Sequence, residues 1–131
     1  MSDENVEVVR RWFTAFEGGD PAPELCDPEI QITNWTDFPI RGPYRGHEGV
    51  RRWWEDVSDA FEDFQWRLES VEAIDEQRCL TIQRLAGRFR HTGIETDFAW
   101  GAIVGVRDGK ILSAIGYPSP RQARRAAGLA S

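Results

Sequence analysis

The feature that most constrains this chain is a change of period near its middle. Val50, Trp53, Trp54, Val57 and Phe61 recur every three or four residues, one broad apolar stripe of an α-helix. Beyond Asp63 the spacing drops to two, and Phe64, Trp66 and Leu68 alternate with Gln65, Arg67 and Glu69 as on a half-buried strand. Upstream of the switch the chain reads mainly as helix, downstream mainly as strand. Segments 79–90 and 96–106 read as longer strands joined through His91-Thr92-Gly93, and Asp108-Gly109 is a two-residue hairpin turn into a strand over 110–117.

The upstream half supplies the covering layer. Val9, Trp12, Phe13 and Phe16 stand at helical spacing, with Ser2 or Asp3 as the cap and Gly18-Gly19-Asp20 as the stop. A second short helix is expected within 21–26, and Ile30, Ile32 and Asn34 then alternate as a first strand. Segment 33–45 is a long loop carrying Trp35, Asp37, Phe38 and Tyr44; a last short helix runs from Ser119-Pro120 to Ala127, with Gly128 after it. Segregated helices ahead of an antiparallel meander give an α+β class, with three helices over one face of a long curved sheet. Such a cone encloses an apolar interior.

Bulk properties narrow the partners. A chain of 131 residues with net charge −6 fits one domain and argues against binding a phosphate backbone, so no nucleic acid is expected. No stretch approaches the roughly 20 apolar residues of a membrane span, and the acidic start MSDENVEV does not read as a secretory signal. Cys26 and Cys79 fit no metal spacing, which favours a reduced, cytoplasmic setting with no metal or other cofactor.

The runs NVEVVRRWFTAFEGGD, DPEI, GPYRGHEGVRRWWEDVSDAFEDF and VRDGKI resemble the SnoaL-like branch of the nuclear transport factor two-like superfamily, from about Asn5 to about Tyr117. The resemblance implies a cystatin-like cone, a cone-shaped mixed or antiparallel sheet with its concave face under three helices. The family includes polyketide cyclases, isomerases, dehydratases and epoxide hydrolases, and fold analogy alone does not choose among them. Carried over position by position, the acids and bases are mostly missing. The oxyanion tyrosine of ketosteroid isomerase falls on Trp12 and its protonated aspartate on Ala102; its general base falls near Asp37, or on Thr33 if the loop carries an insertion. Of the aspartate–arginine–aspartate set of the epoxide hydrolases only Arg84 matches, the carboxylates falling on Ala86 and Gly116.

The residues left for chemistry are Asp37, Arg84 and His47. If even positions of the strand around Arg84 face inward, its guanidinium enters the cone beside Leu80, Ile82 and Ala86 and needs Asp37 as a partner. Such a pair could orient a carbonyl or enolate oxygen while the carboxylate moves a proton. Alternatively Arg84 reaches solvent and Asp37 caps a turn. His47 is either a base poised near neutral pH or a residue that hydrogen-bonds backbone at a helix entrance. Trp12, Phe16, Trp35, Tyr44, Trp54, Phe98 and Trp100 are the expected ligand-binding lining, suited to a flat, apolar, cyclic ligand. Of Trp53 and Trp54, one should pack on the sheet and the other reach the loop of Trp35 and Tyr44. Ala99, Gly101, Ile103 and Gly105 leave a small, apolar outer face that predicts a homodimer. Two functions follow: a cofactor-free proton-transfer enzyme (cyclase, isomerase, dehydratase or hydrolase) using Asp37 and Arg84 with His47 and Tyr44, or a non-catalytic binding or dimerisation module.

Overall fold

The computed structural model describes residues 3–129. Helix α1 covers Asp3–Glu17, a single 3-10 turn Pro23–Leu25, strand β1 Cys26–Thr33, β2 Tyr44–Arg45 and helix α2 Gly46–Ala60. Strands β3 Phe61–Ala73, β4 Arg78–Phe89, β5 Glu95–Arg107 and β6 Lys110–Tyr117 follow, then helix α3 Pro120–Ala126. The cap expected from Ser2 or Asp3 lies outside the described side chains. The glycine stop holds: the amides of Gly18, Gly19 and Asp20 bond back to Ala15 and Phe16 carbonyls, with Gly19 left-handed. At the other end Ser119 caps α3, its hydroxyl accepting from the Gln122 amide.

The six strands form one open mixed sheet in the order β2-β1-β6-β5-β4-β3. β3 to β6 are an antiparallel meander, and β1 joins parallel to β6. Period determines which face each residue takes. Helices α1 and α2 lay Val9, Trp12, Phe13, Phe16, Val50, Trp53 and Val57 on the inner face, all buried. The 3-10 turn adds partly buried Leu25 to the same core. Trp66, Leu85, Trp100, Ala102 and Val104 meet them from the sheet. Fully burying side chains of this size is worth about 1.5–3 kcal/mol each relative to exposure, so this aromatic core dominates stability.

Helix α3 takes the opposite face. Ala123 and Ala127 pack with Leu80 and Ile103 in a second cluster, against which Ile82 also lies. A Cβ on Gly101 would come within 2.4 Å of the Ala123 Cβ, so this glycine is what lets the helix approach. The small outer-face strip read as a dimer surface is therefore covered at Gly101 and Ile103 by the chain's own last helix. The apolar character of that strip no longer calls for a second copy.

Candidate functional site

The interior of the cone is an aromatic cluster with a buried polar seam. Trp12, Phe16, Trp53, Trp66 and Trp100 interlock with ring centroids 4.8–6.3 Å apart, mostly edge to face. Trp12 donates its indole N–H to the Pro21 carbonyl at 2.9 Å. Trp66 donates to Gln83 Oε1 at 2.8 Å, Gln83 Nε2 donates to Thr81 Oγ1 at 3.0 Å, and that hydroxyl donates to the Ala102 carbonyl at 3.2 Å. Gln83 and Thr81 are fully buried, so a chain of partners is what makes them tolerable there. Trp100 differs. Its ring is 5% exposed, and its Nε1–H is buried with no acceptor among the described residues.

Between these groups lies a cavity of about 20 Å³, room for roughly one water. Its walls are Trp12, Phe13, Phe16, Trp53, Trp66 and Trp100, with Ile32, Ala102, Ala114 and the amides of Asn34 and Gln83; Gly116 completes them. Gly116 is glycine for a steric reason, since a Cβ there would strike Asn34 Oδ1 and come within 3.2 Å of the Trp100 ring. The space that a side chain at Gly116 would take is thus filled by an amide reaching over from just past the end of β1.

The mouth is a loop that holds itself together. The Asn34 amide donates to the Arg41 carbonyl and Asn34 Nδ2 to the Ile40 carbonyl, both at 2.7 Å. Within the loop, the Phe38 amide donates to the Trp35 carbonyl and Arg41 to the Thr36 carbonyl. Trp35 stacks on Phe38 at 4.3 Å, and the pair rests on Trp100 at 5.8 Å and Phe98 at 6.4 Å.

The expected site residues divide accordingly. Trp12, Phe16 and Trp100 line the cavity, while Trp35 and Phe98 stand at the mouth. Trp54 does not reach the Trp35 loop. It packs on Phe16, Phe64 and Trp66, because one residue further round the helix turns it toward β3. Tyr44 is buried away from the cavity and donates to Asp56 Oδ2 at 2.6 Å. Burial, and then that bond to a carboxylate, push its phenol well above the usual tyrosine range.

Arg84 is the main correction. On β4 the odd positions face inward: Cys79, Thr81, Gln83 and Leu85 are buried, and Gln83 pairs with Trp100 across β5. Arg84 therefore points outward, where its Nε bonds Asp97 Oδ1 at 2.7 Å with both side chains about half exposed. Asp37 is exposed on the mouth loop, on the other side of the sheet from Arg84. The expected Asp37–Arg84 pair does not form. His47 lies at the start of α2, its Nε2–H donating to the Cys26 carbonyl at 2.8 Å. That is the backbone-bonding alternative.

Sequence reading missed Gln83, Trp66 and Asn34. A signal for Gln83 was present. A turn centred between His91 and Thr92 pairs odd positions of β4 with even positions of β5, and cross-strand partners share a face. Once Trp100 is placed inside, Gln83 must follow. Larger hollows, such as one of about 440 Å³ bordered by Asp63, Gln65, Arg88, Glu95 and Asp97, are open grooves on the outer surface. The thiols of Cys26 and Cys79 are buried; burial is the main cause that pushes them up, to about 12 and about 11, and keeps them protonated.

The SnoaL-like domain model matches residues 9–114. The chain belongs to the SnoaL-like domain family. No curated protein matches the sequence. Among solved structures, an NTF2-like protein from Burkholderia xenovorans is 24% identical, covering 97% of this chain and 98% of that one at TM-score 0.78. An NTF2-like protein from Burkholderia thailandensis is 20% identical, covering 99% and 100% at TM-score 0.79. TerC, co-crystallised with polyporic acid, is 12% identical and covers 96% and 99% at TM-score 0.77. At these identities the likeness is one of fold. Among the described residues no helix of this SnoaL-like domain is long and apolar enough to cross a membrane.

Proposed function

We infer that this SnoaL-like domain is a small-molecule-binding module that works by burial and neutral hydrogen bonding, without acid–base catalysis. The observation that carries this reading is the cavity wall: among the described residues no Asp, Glu, His, Lys, Arg, Tyr or Cys side chain lines it. General acid–base catalysis needs a titratable group within hydrogen-bond reach of the reacting atom, directly or through one water. Here Asp37 is exposed on the loop, Arg84 is paired outside and His47 is committed to a backbone carbonyl. What the interior offers is ring surface with indole and amide groups, which hold a flat apolar molecule and orient it. A neighbour of the same fold, TerC, was co-crystallised with polyporic acid, which supports a cyclic ligand for this interior.

The cavity as it stands is too small for such a molecule, so binding requires ring movement, most simply at the Trp35–Phe38 pair. The test is a tryptophan-fluorescence titration of the whole chain with a panel of two- and three-ring aromatic ketones, quinones and hydrocarbons. Saturable quenching, with each bound compound recovered chemically unchanged, is the expected result. Turnover that survives in Asp37→Asn, Arg84→Leu and His47→Gln alike would place catalysis in neutral groups and overturn the non-catalytic part. A complete lack of response across the panel would leave the domain as a filled structural cone.

A further inference from the structure

Among the buried side-chain polar atoms of the residues that line the cavity, the Trp100 indole N–H stands apart. Trp12 and Trp66 sit in the same cluster, and each spends its N–H on a protein acceptor. Trp100 is as deeply buried, yet its donor faces no acceptor among the described residues. A buried donor without a partner has lost its hydrogen bonds to water and gained none, and the large majority of buried polar side-chain atoms avoid that cost. The ring that carries this donor lies under the mouth: the ring packed on Trp100 from the loop side is Trp35, at 5.8 Å and 61°. The loop that carries Trp35 closes on itself through Asn34, Ile40 and Arg41, so Trp35 and Phe38 can swing as one unit without breaking those bonds.

From this placement, and resting on the binding reading above, we propose that Trp100 is the hydrogen-bond anchor of the interior site, selecting an uncharged, flat, two-ring ligand that carries a carbonyl-type acceptor. The ligand takes the place of the Trp35 indole when the 35–39 segment moves aside. The size follows from what is displaced, since one indole leaves a two-ring space. The charge follows from the walls, which among the described residues offer no counter-ion to a carboxylate or an amine. The acceptor follows from Trp100, whose Nε1–H can only donate. Gln83 is no substitute, because its Oε1 accepts from Trp66 and its Nε2 donates to Thr81.

The experiment uses two probes of the same shape, 1-indanone and indane, which differ in one carbonyl oxygen. The indole N–H resonances of the 15N-labelled chain are followed by NMR, and the Trp100 peak is identified by its loss in Trp100→Phe. Indanone should bind roughly fivefold to tenfold more tightly than indane, a factor that one neutral hydrogen bond to an otherwise orphaned donor supplies. It should move the Trp100 N–H downfield while indane does not. In Trp100→Phe the preference for indanone over indane should vanish, the two probes binding alike. Should that variant fail to fold, the Trp100 peak is assigned in the wild type through correlations from its indole ring to its own backbone amide, and the shift still decides. Equal affinities with an unmoved Trp100 peak overturn the anchor and leave the binding reading standing. No response from any interior indole at millimolar probe overturns both.

Discussion

Strands β4 and β5 carry opposite chemistry on their two faces. On the inner face Gln83 lies opposite Trp100, flanked by Thr81 and Ala102, and every polar atom there is neutral. On the outer face, one residue along, Arg84 bonds Asp97 and Arg88 bonds Asp63, with side chains 40–81% exposed. The two faces are a single residue apart in sequence. What separates them is solvent: outside, water screens a charge and makes a pair of little consequence, whereas inside only a group whose hydrogen bonds close on protein is tolerated. The difference teaches where function can sit. On these two strands the charged side chains are plentiful, but the register keeps them on the wet side of the sheet.

The comparison breaks most sharply if a charge is moved across it. Gln83→Glu keeps the size and an acceptor for Trp66 but places a carboxyl where no cation reaches, at a cost of about 3–5 kcal/mol when ionised. Burial raises the folded pKa of the introduced carboxyl above its unfolded value of about 4.3. Its stability is therefore highest below that value and falls as pH rises through the raised folded pKa. Urea midpoints across pH 4–8 measure this, and a flat profile would mean that the seam is wetter than its burial implies.

Removing the polar seam without adding charge is the next step down. Gln83→Leu fills the space but strands the Trp66 indole N–H, for an expected loss of about 1–3 kcal/mol by denaturant unfolding. The double variant with Trp66→Phe should recover much of that loss, because both partners are then apolar. A Gln83→Leu variant as stable as wild type would show that the Trp66–Gln83 bond contributes nothing net.

The same residues show what the sequence could and could not tell. The period change near Asp63, the Asp108-Gly109 hairpin and the glycine stop after Phe16 translated directly into elements, because each is a local property of the backbone. The inward set of β5 was legible too. The inward set of β4 was not, and the reason is α3. Leu80 and Ile82 are apolar because that helix covers them, so β4 is apolar on both faces and its alternation carries no sign. Read with even positions inside, it drew Arg84 into the cone and Gln83 out of it. Asn34 was hidden differently, since its role depends on Gly116, a residue distant in sequence that makes room for the amide.

On the outer face, Arg84→Leu should change stability by no more than about 0.5 kcal/mol, as expected for one member of an exposed pair. Its probe affinity should match wild type. A large loss of either would return Arg84 to the site and undo the contrast between faces.

The smallest effect expected is the one that shows the outer charges titrating while the inner face stays indifferent. Asp27 at the start of β1 accepts from the Glu29 amide at 2.8 Å and from Arg107 at 3.1 Å, and Arg107 also bonds Glu29. The amide bond chiefly, and the guanidinium after it, hold this carboxyl below its ordinary value of 3.8. A depressed folded pKa means stability that is present above the unfolded value and lost as pH falls through the folded one. Asp27→Asn should therefore lower the urea midpoint slightly at pH 7, with the difference from wild type shrinking as pH drops below 3.8. Asn at this position still offers an acceptor to the Glu29 amide, which keeps the loss small and isolates the ionic part. A midpoint difference that persists unchanged into acid would assign the effect to packing at the start of β1. The outer face would then differ from the inner one in exposure alone and not in how it titrates.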